Sequence, residues 1–237
     1  MKVAVSWSGG KESGLAFYRA MSEGHEISLL VTFIWETPMF HHPLELVELQ
    51  SKAMNVLHVK VKVGQPYFEE YREAIKNLVK VYGVEGIVTG DVAVIDEYHG
   101  DWMGSVCKGL DVELIRPLWN LDRHAILKEI VSKGFKSIFT CVKKPWFNGS
   151  WLGRILDDAC INELKSLERN FGMDLCGERG EYHTILIDGP MFNKVIEISM
   201  FRKMQQNSVF YLRPIKFSLK QKLNEVHDLQ RFGRKSK

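Results

Sequence analysis

Between Lys2 and Ile115, short apolar runs alternate with amphipathic stretches, and that alternation limits the fold more than any other feature. Strands are expected at Lys2–Trp7, Glu26–Trp35, Leu57–Val63, Gly86–Thr89 and Val112–Ile115. Helices are expected at Ser13–Glu23, Pro43–Met54 and Tyr67–Tyr82, where apolar residues recur at three- and four-residue spacing. The regular alternation of strand and helix predicts a doubly wound parallel sheet of the α/β class with right-handed crossovers. Ligands of such sheets bind beyond the carboxyl ends of the strands, where the strand order reverses.

The texture changes after Pro117. A helix is expected from Asp122 to Lys133, a strand at Phe135–Val142, a helix at Asp157–Phe171 and a strand at His183–Ile187. Lys194–Phe201 and Val209–Phe217 read as antiparallel strands. This gives a first domain over 1–120, a smaller α/β domain over 121–217, and a helical or flexible tail over 218–237. Leu219, Leu223, Val226 and Leu229 stand at helical spacing in that tail, as in a helix docked on its own chain or on a twin subunit in a homodimer.

Composition excludes several classes. The net charge of +3 is too small to mark a nucleic-acid surface. The longest apolar run, Ile27–Trp35, is far too short for a membrane span. Four scattered cysteines, Cys107, Cys141, Cys160 and Cys176, form no C-x-x-C pair. The expectation is a cytoplasmic protein with reduced thiols.

Ser8-Gly9-Gly10-Lys11-Glu12-Ser13 follows the first strand and opens the first helix. Glycines let main-chain N–H groups approach an oxyanion, and a helix N-terminus adds favourable potential. The dipole contributes only about 0.3–1 kcal/mol, so charge-assisted bonds of about 1.5–3 kcal/mol each must dominate. Lys11 and the Ser8 and Ser13 hydroxyls can supply them. Glu12 after Gly10-Lys11 excludes a Walker A loop, and the dinucleotide G-x-G-x-x-G is also absent. Thr89-Gly90-Asp91 ends another strand and brings a carboxylate toward the same place.

The Ser8–Ser13 segment resembles the pyrophosphate loop of the N-type ATP pyrophosphatases, whose usual form has Asp where Glu12 stands. Cys176-Gly177-Glu178-Arg179-Gly180-Glu181-Tyr182-His183-Thr184 resembles the Glu-Gly-Gly-Glu-Phe/Tyr-x-Thr segment of the diphthine–ammonia ligase family. Met39-Phe40-His41, Pro117-Leu118-Trp119 and Trp151-Leu152-Gly153-Arg154 are also similar to that family's segments, in the same order.

The resemblance implies an adenine-nucleotide α-hydrolase-like domain followed by a smaller α/β domain. It implies an enzyme that uses ATP, Mg2+ and ammonia to amidate diphthine on translation elongation factor 2. Ser8, Gly9, Gly10, Lys11, Ser13 and Gly90 would hold the nucleotide, with adenine near Val31, Thr32 and Phe33 and with His41 behind it. Lys11, Asp91 and Glu181 would be catalytic, Asp91 also holding the metal. Gly153, Arg154, Glu178, Gly180, Glu181 and His183 would receive the acceptor.

Other readings stand beside these. Glu178 and Glu181 suit a solvated turn, His183 a structural strand start, and Arg154 a surface ion pair. Trp7, Trp35 and Trp119 read as core or as pocket walls. Arg179 stands where the family has a second glycine and fits without strain only at negative φ. The stretch Tyr98-His99-Gly100-Asp101-Trp102-Met103-Gly104 lacks the Arg- and Glu-bearing helix of many family members. Related pyrophosphate-loop enzymes transfer sulfur to tRNA through accessible cysteine thiolates, and Cys107, Cys141 and Cys176 make that a rival. A nucleotide-binding regulator without turnover is a second one.

Overall fold

The computed structural model describes residues 1–35, 41–94 and 100–222. Met39, Phe40, Tyr98, His99, Leu223, Val226 and Leu229 lie outside them. The first unit runs β1 (Lys2–Ser6), α1 (Lys11–Ser22), β2 (Glu26–Ile34), α2 (Leu44–Met54), β3 (Leu57–Lys62), α3 (Tyr67–Tyr82), β4 (Gly86–Val88), α4 (Trp102–Cys107) and β5 (Glu113–Ile115). All its pairings are parallel, in the order β3-β2-β1-β4-β5. Consecutive strands step one way from β1 to β3, and the chain then crosses to β4 on the other side of β1. The reversal lies between β1 and β4, where Val5 pairs with Val88. Loops leaving these two strands therefore meet at the ligand-binding edge.

The second unit comprises α5 (Arg123–Ser132), β6 (Lys136–Lys143), α6 (Asp158–Phe171), β7 (Tyr182–Asp188), β8 (Lys194–Gln206) and β9 (Val209–Gln221). Its sheet is antiparallel, in the order β7-β6-β9-β8. Asp122 caps α5 through the Ala125 N–H at 2.8 Å, and Asp157 caps α6 through that of Cys160 at 2.8 Å.

Two apolar clusters hold the molecule together. One lies under α3 and α4 and joins Leu29, Val31 and Phe33 to Ile75, Leu78 and Val106. The other passes from Val5, Trp7 and Leu15 straight into Phe139, Ile185 and Leu186 of the second sheet. The second unit is thus seated on the α1–α2 side of the first. Gly14 marks the closeness of that seat, since a Cβ there would lie 2.1 Å from Leu186 Cδ1.

Three differences from the sequence reading have local causes. α1 begins at Lys11 rather than Ser13, because Gly10 takes the extended N-cap conformation and hands its carbonyl to the Gly14 N–H at 3.1 Å. α4 is an additional helix, started by Asp101, which accepts from the Gly104 N–H at 2.9 Å. Ser218–Gln221, assigned to a helical or flexible tail, are strand. Their partners in β8 run from Lys194 to Glu197, with Leu219 opposite Ile196.

Candidate active site

Gly10 caps α1 without a side-chain acceptor, so no side chain caps the first-turn N–H groups. Behind that turn the loop is fastened by Gln50, a fully buried residue on the apolar face of α2 between Val47 and Met54. Its amide donates to the Gly9 carbonyl at 2.9 Å and to that of Leu186 at 2.8 Å, while its oxygen accepts from Trp7 Nε1 at 2.8 Å. Gly9 sits at φ 81°, and a Cβ there would meet Gln50 Oε1 at 2.5 Å. No other residue type fits that turn against that clamp. Gln50 was overlooked in the sequence, although an amide between Val47 and Met54 on one helix face was the signal.

The Ser8 and Ser13 hydroxyls lie 3.3 Å apart, and Ser13 donates to the Gly10 carbonyl at 3.0 Å. Gly90 is pressed against this turn, since a Cβ on it would come within 2.8 Å of the Glu12 carbonyl carbon and of the Ser13 nitrogen. The two strand-end motifs are therefore in van der Waals contact, and Asp91 stands beside them. Burial raises the Asp91 pKa above its ordinary value, against the hydrogen bond from Thr89 Oγ1 at 2.9 Å.

Lys11 is buried and points toward the second unit. Its ammonium donates to the Cys176 carbonyl at 2.7 Å, lies 2.6 Å from Glu12 Oε1, and sits 4.4 Å from the centre of the Tyr182 ring. Burial opposes its charge, but Glu12 foremost and Glu178 also outweigh that and leave its pKa raised. The Cys176–Tyr182 turn is thus brought onto the phosphate loop by direct contact.

Within that turn the two glutamates differ. Glu181 is buried, and its oxygens accept from the Asp174 N–H at 2.8 Å and the Arg179 N–H at 3.0 Å. Its carboxylate holds the turn together. Glu178 has no hydrogen-bond donor to its carboxylate among the described residues and lines the cavity that Asp91 also lines. Burial, then the nearby Glu12, push its pKa well above the carboxylate range. The left-handed positions of the turn fall on Gly177 at φ 79° and Gly180 at φ 80°, and Arg179 is not among the positive-φ residues. Arginine therefore fits where the family pattern has glycine.

Three imidazoles stand behind the loop. His183 lies 4.5 Å from His41 and 5.3 Å from His42, centre to centre, and a Cβ on Gly10 would come within 3.3 Å of His42 Cε1. Burial lowers all three pKa values, His42 well below the ordinary value and His183 to about 3. Burial thus favours the uncharged form of each. His42 escaped the sequence reading, which considered only His41 and His183.

Other expected residues are placed elsewhere. Val31 and Thr32 are closed into the sheet, with the Val31 carbonyl accepting from the Trp7 N–H at 2.8 Å and Thr32 Oγ1 donating to the Trp7 carbonyl at 2.7 Å. Phe33 stacks on Tyr71 at 4.3 Å. The side chains of 31–33 are packed, and the open edge of β2 is at Trp35. Arg154 forks onto Glu163 at 2.6 and 3.0 Å and lies over Trp151, away from the loop. Gly153, at φ 85°, faces Phe201. Neither joins the loop.

All four cysteines are buried. Burial pushes the thiols of Cys107 and Cys141 up to about 11 and raises those of Cys160 and Cys176. No helix among the described residues is long and apolar enough to cross a membrane.

Residues 1–114 match the diphthamide synthase N-terminal domain and residues 122–218 the diphthamide synthase C-terminal domain. Diphthine–ammonia ligase of Bos taurus is 26% identical, with 96% of each chain covered, and that of Homo sapiens is 25% identical over the same shares. The ligase of Schizosaccharomyces pombe is 25% identical over 90% of this chain and 39% of its own length. A solved chain titled a predicted subunit of tRNA methyltransferase from Methanocaldococcus jannaschii is 16% identical at a TM-score of 0.45, covering 80% of this chain and 98% of that one. With both domain models matched in order along an α/β fold, the chain belongs to the diphthine–ammonia ligase family of ATP-dependent ligases.

Proposed function

We propose that this chain amidates diphthine on elongation factor 2, forming an acyl-adenylate from ATP and then transferring ammonia to it. The observation that carries the reading is the uncapped first turn of α1 with Lys11 and Ser13 in it, closed by Gly90 on one side and the Cys176–Tyr182 turn on the other.

The β- and γ-phosphates lie against the amides of Gly9 to Ser13. Lys11 exchanges one of its present contacts for a phosphate oxygen, and the neighbouring imidazoles of His42 and His183 face the same charge. An acceptor carboxylate oxygen attacks the α-phosphorus, the bond to the bridging oxygen breaks, and pyrophosphate leaves. Fixed donors aimed at the developing charge are the chief source of acceleration in such steps. Ammonia then attacks the acyl carbon, AMP departs, and Glu178 takes the proton that nitrogen gives up. A carboxylate with a raised pKa suits that duty.

Among the described residues no three His, Cys, Asp or Glu side chains form a ready metal cage. The single carboxylate of Asp91 fits Mg2+ that arrives on the nucleotide's phosphates, where it would supply charge neutralisation. Glu181 acts by holding the turn rather than by touching substrate, and Arg154 is reserved for Glu163.

Sulfur transfer to tRNA needs an accessible thiolate, and four buried thiols with raised pKa values do not support it. The test is incubation with ATP, ammonium and elongation factor bearing diphthine. AMP release with the carboxylate-to-amide mass change is expected. AMP release without that change would move the reading to another acceptor, and no ATP turnover would leave a regulator.

A further inference from the structure

The Gly9 carbonyl is held from two sides. It accepts from Gln50 Nε2 on α2 and from the Leu186 N–H on β7, each at 2.9 Å. A peptide unit is planar and trans, so its carbonyl and its N–H point in opposite directions. Drawing the Gly9 carbonyl toward α2 and β7 therefore turns the Gly10 N–H away from them. That N–H donates to the Ser8 hydroxyl at 3.3 Å, a long bond that a phosphate oxygen can replace.

The Gln50 amide can sit in this place one way only. Trp7 Nε1 is a donor, at 2.8 Å from the amide oxygen, and the Gly9 and Leu186 carbonyls are acceptors, at 2.9 and 2.8 Å from the amide nitrogen. Half a turn of the amide would set its oxygen against two carbonyls and its NH2 against the indole N–H. Gln50, Trp7 and Leu186 are all buried, and a buried network with every member bonded is rigid. Packing alone does not ask for a polar side chain here, since Leu46, Val47, Ala53 and Met54 are the other large or apolar residues that α2 buries.

We propose that Gln50 is a positioning residue for pyrophosphate departure, fixing the peptide between Gly9 and Gly10 so that its N–H stays aimed at a phosphate oxygen. The proposal rests on the reading that this loop receives the last two phosphates of ATP. As pyrophosphate leaves, negative charge grows on its oxygens, and a donor already in place stabilises that charge without having to reorient. The same amide bonds Leu186, so the aim of the Gly10 N–H depends on the seat of β7 against the first unit.

Inorganic pyrophosphate with Mg2+ is titrated into the full chain by calorimetry, and the loop amides are followed by NMR. The Gly10 amide proton is expected to move downfield as pyrophosphate binds. Gln50→Met, similar in volume but without donors, should bind pyrophosphate at least tenfold more weakly at temperatures well below its melt. In the ligase assay its loss should fall on kcat for adenylation, with the KM of the acceptor changed less than twofold. Gln50→Glu separates the aim of the loop from packing. The neutral acid can donate to one carbonyl, whereas the ionised form faces both carbonyls with an acceptor, and a buried carboxyl titrates as high as about pH 8–9. Its deficit against the wild type at the same pH should therefore be smaller than that of Gln50→Met at about pH 6 and grow at least fivefold by about pH 9.

Wild-type pyrophosphate affinity in Gln50→Met, a Gln50→Glu deficit that does not change with pH, or a Gly10 amide that does not move overturns the proposal. The wild-type Gly10 amide decides the matter if Gln50→Met does not fold. The two readings fail separately. Pyrophosphate binding that depends on Gln50, with no amidation of any acceptor, sinks the ligase reading and leaves the positioning role. Amidation that Gln50→Met leaves at its wild-type rate does the reverse.

Discussion

The ammonium of Lys11 and the carbonyl of Cys176 are 2.7 Å apart although 165 residues separate them. That bond ties the phosphate loop of the first unit to the turn that carries Glu178 and Glu181. Replacing Lys11 therefore does two things. Lys11→Ala leaves a buried carbonyl without its donor, a loss of about 1–3 kcal/mol, and removes the only ammonium in the loop, for which at least ~10²-fold slower adenylation is expected. A lower melting temperature is therefore expected together with the slower adenylation. Thermal melts and pyrophosphate exchange measured side by side check both.

Glu178 and Glu181 should separate cleanly. The native pKa of Glu178 is raised, so its contribution to stability is fully present below the unfolded carboxylate pKa and is lost as pH rises through the native value. Glu178→Gln is therefore expected to gain stability over the wild type as pH climbs from about 4.3, the gain levelling off above the native pKa. Its amide formation should fall while adenylation persists, and hydroxylamine, a stronger nucleophile that is unprotonated at neutral pH, should depend less on this residue and restore turnover as the hydroxamate. Glu181→Gln should instead loosen the turn and lower the melting temperature, because glutamine has one side-chain oxygen where two accept from the Asp174 and Arg179 N–H groups.

The imidazoles give the opposite pH dependence. The native pKa values of His41, His42 and His183 are depressed. Their neutral burial stabilises the fold above the unfolded pKa of about 6.5 and is lost as pH falls below it, by up to about 1.4 kcal/mol per pH unit for each. Denaturant titrations at several pH values should show this slope, and His42→Gln should flatten it. A slope unchanged in that variant would mean other groups govern acid unfolding.

Gly90→Ala tests whether the two strand-end loops must touch. Its Cβ would meet backbone atoms of Glu12 and Ser13 at 2.8 Å, and backbone cannot step aside as a flexible side chain can. Overpacking of this kind costs about 1–3 kcal/mol, or roughly 2–4 °C of melting temperature per kcal/mol in a chain of this size. Weaker ATP binding should accompany it, measurable by calorimetry. ATP binding at wild-type strength would show that the loops act independently.

The parallel sheet was legible because its strands are apolar runs punctuated by turns, and because helices such as Tyr67–Tyr82 carry a single apolar face. The phosphate loop was legible because glycine, lysine and serine there stand in a fixed local order. What escaped was set by tertiary packing. Gln50 takes its role from carbonyls of Gly9 and Leu186 that only the fold brings to it. Glu178 and Glu181 are three residues apart and look equivalent, yet one folds back onto main-chain N–H groups and the other faces a cavity. Arg154 carried two readings, an acceptor residue and a surface ion pair, and only the fold shows its guanidinium paired with Glu163 of α6.

The central claim is that the turn from Ser8 to Ser13 receives the last two phosphates of ATP, leaving the α-phosphorus open. A crystal structure with an ATP analogue whose α–β bridge cannot be cleaved tests it directly. The account predicts β- and γ-phosphate oxygens on the amides of Gly9 to Ser13, with Lys11 moved from Cys176 to reach one of them. Phosphates bound at any other corner, or Lys11 unmoved with that turn empty, would contradict it.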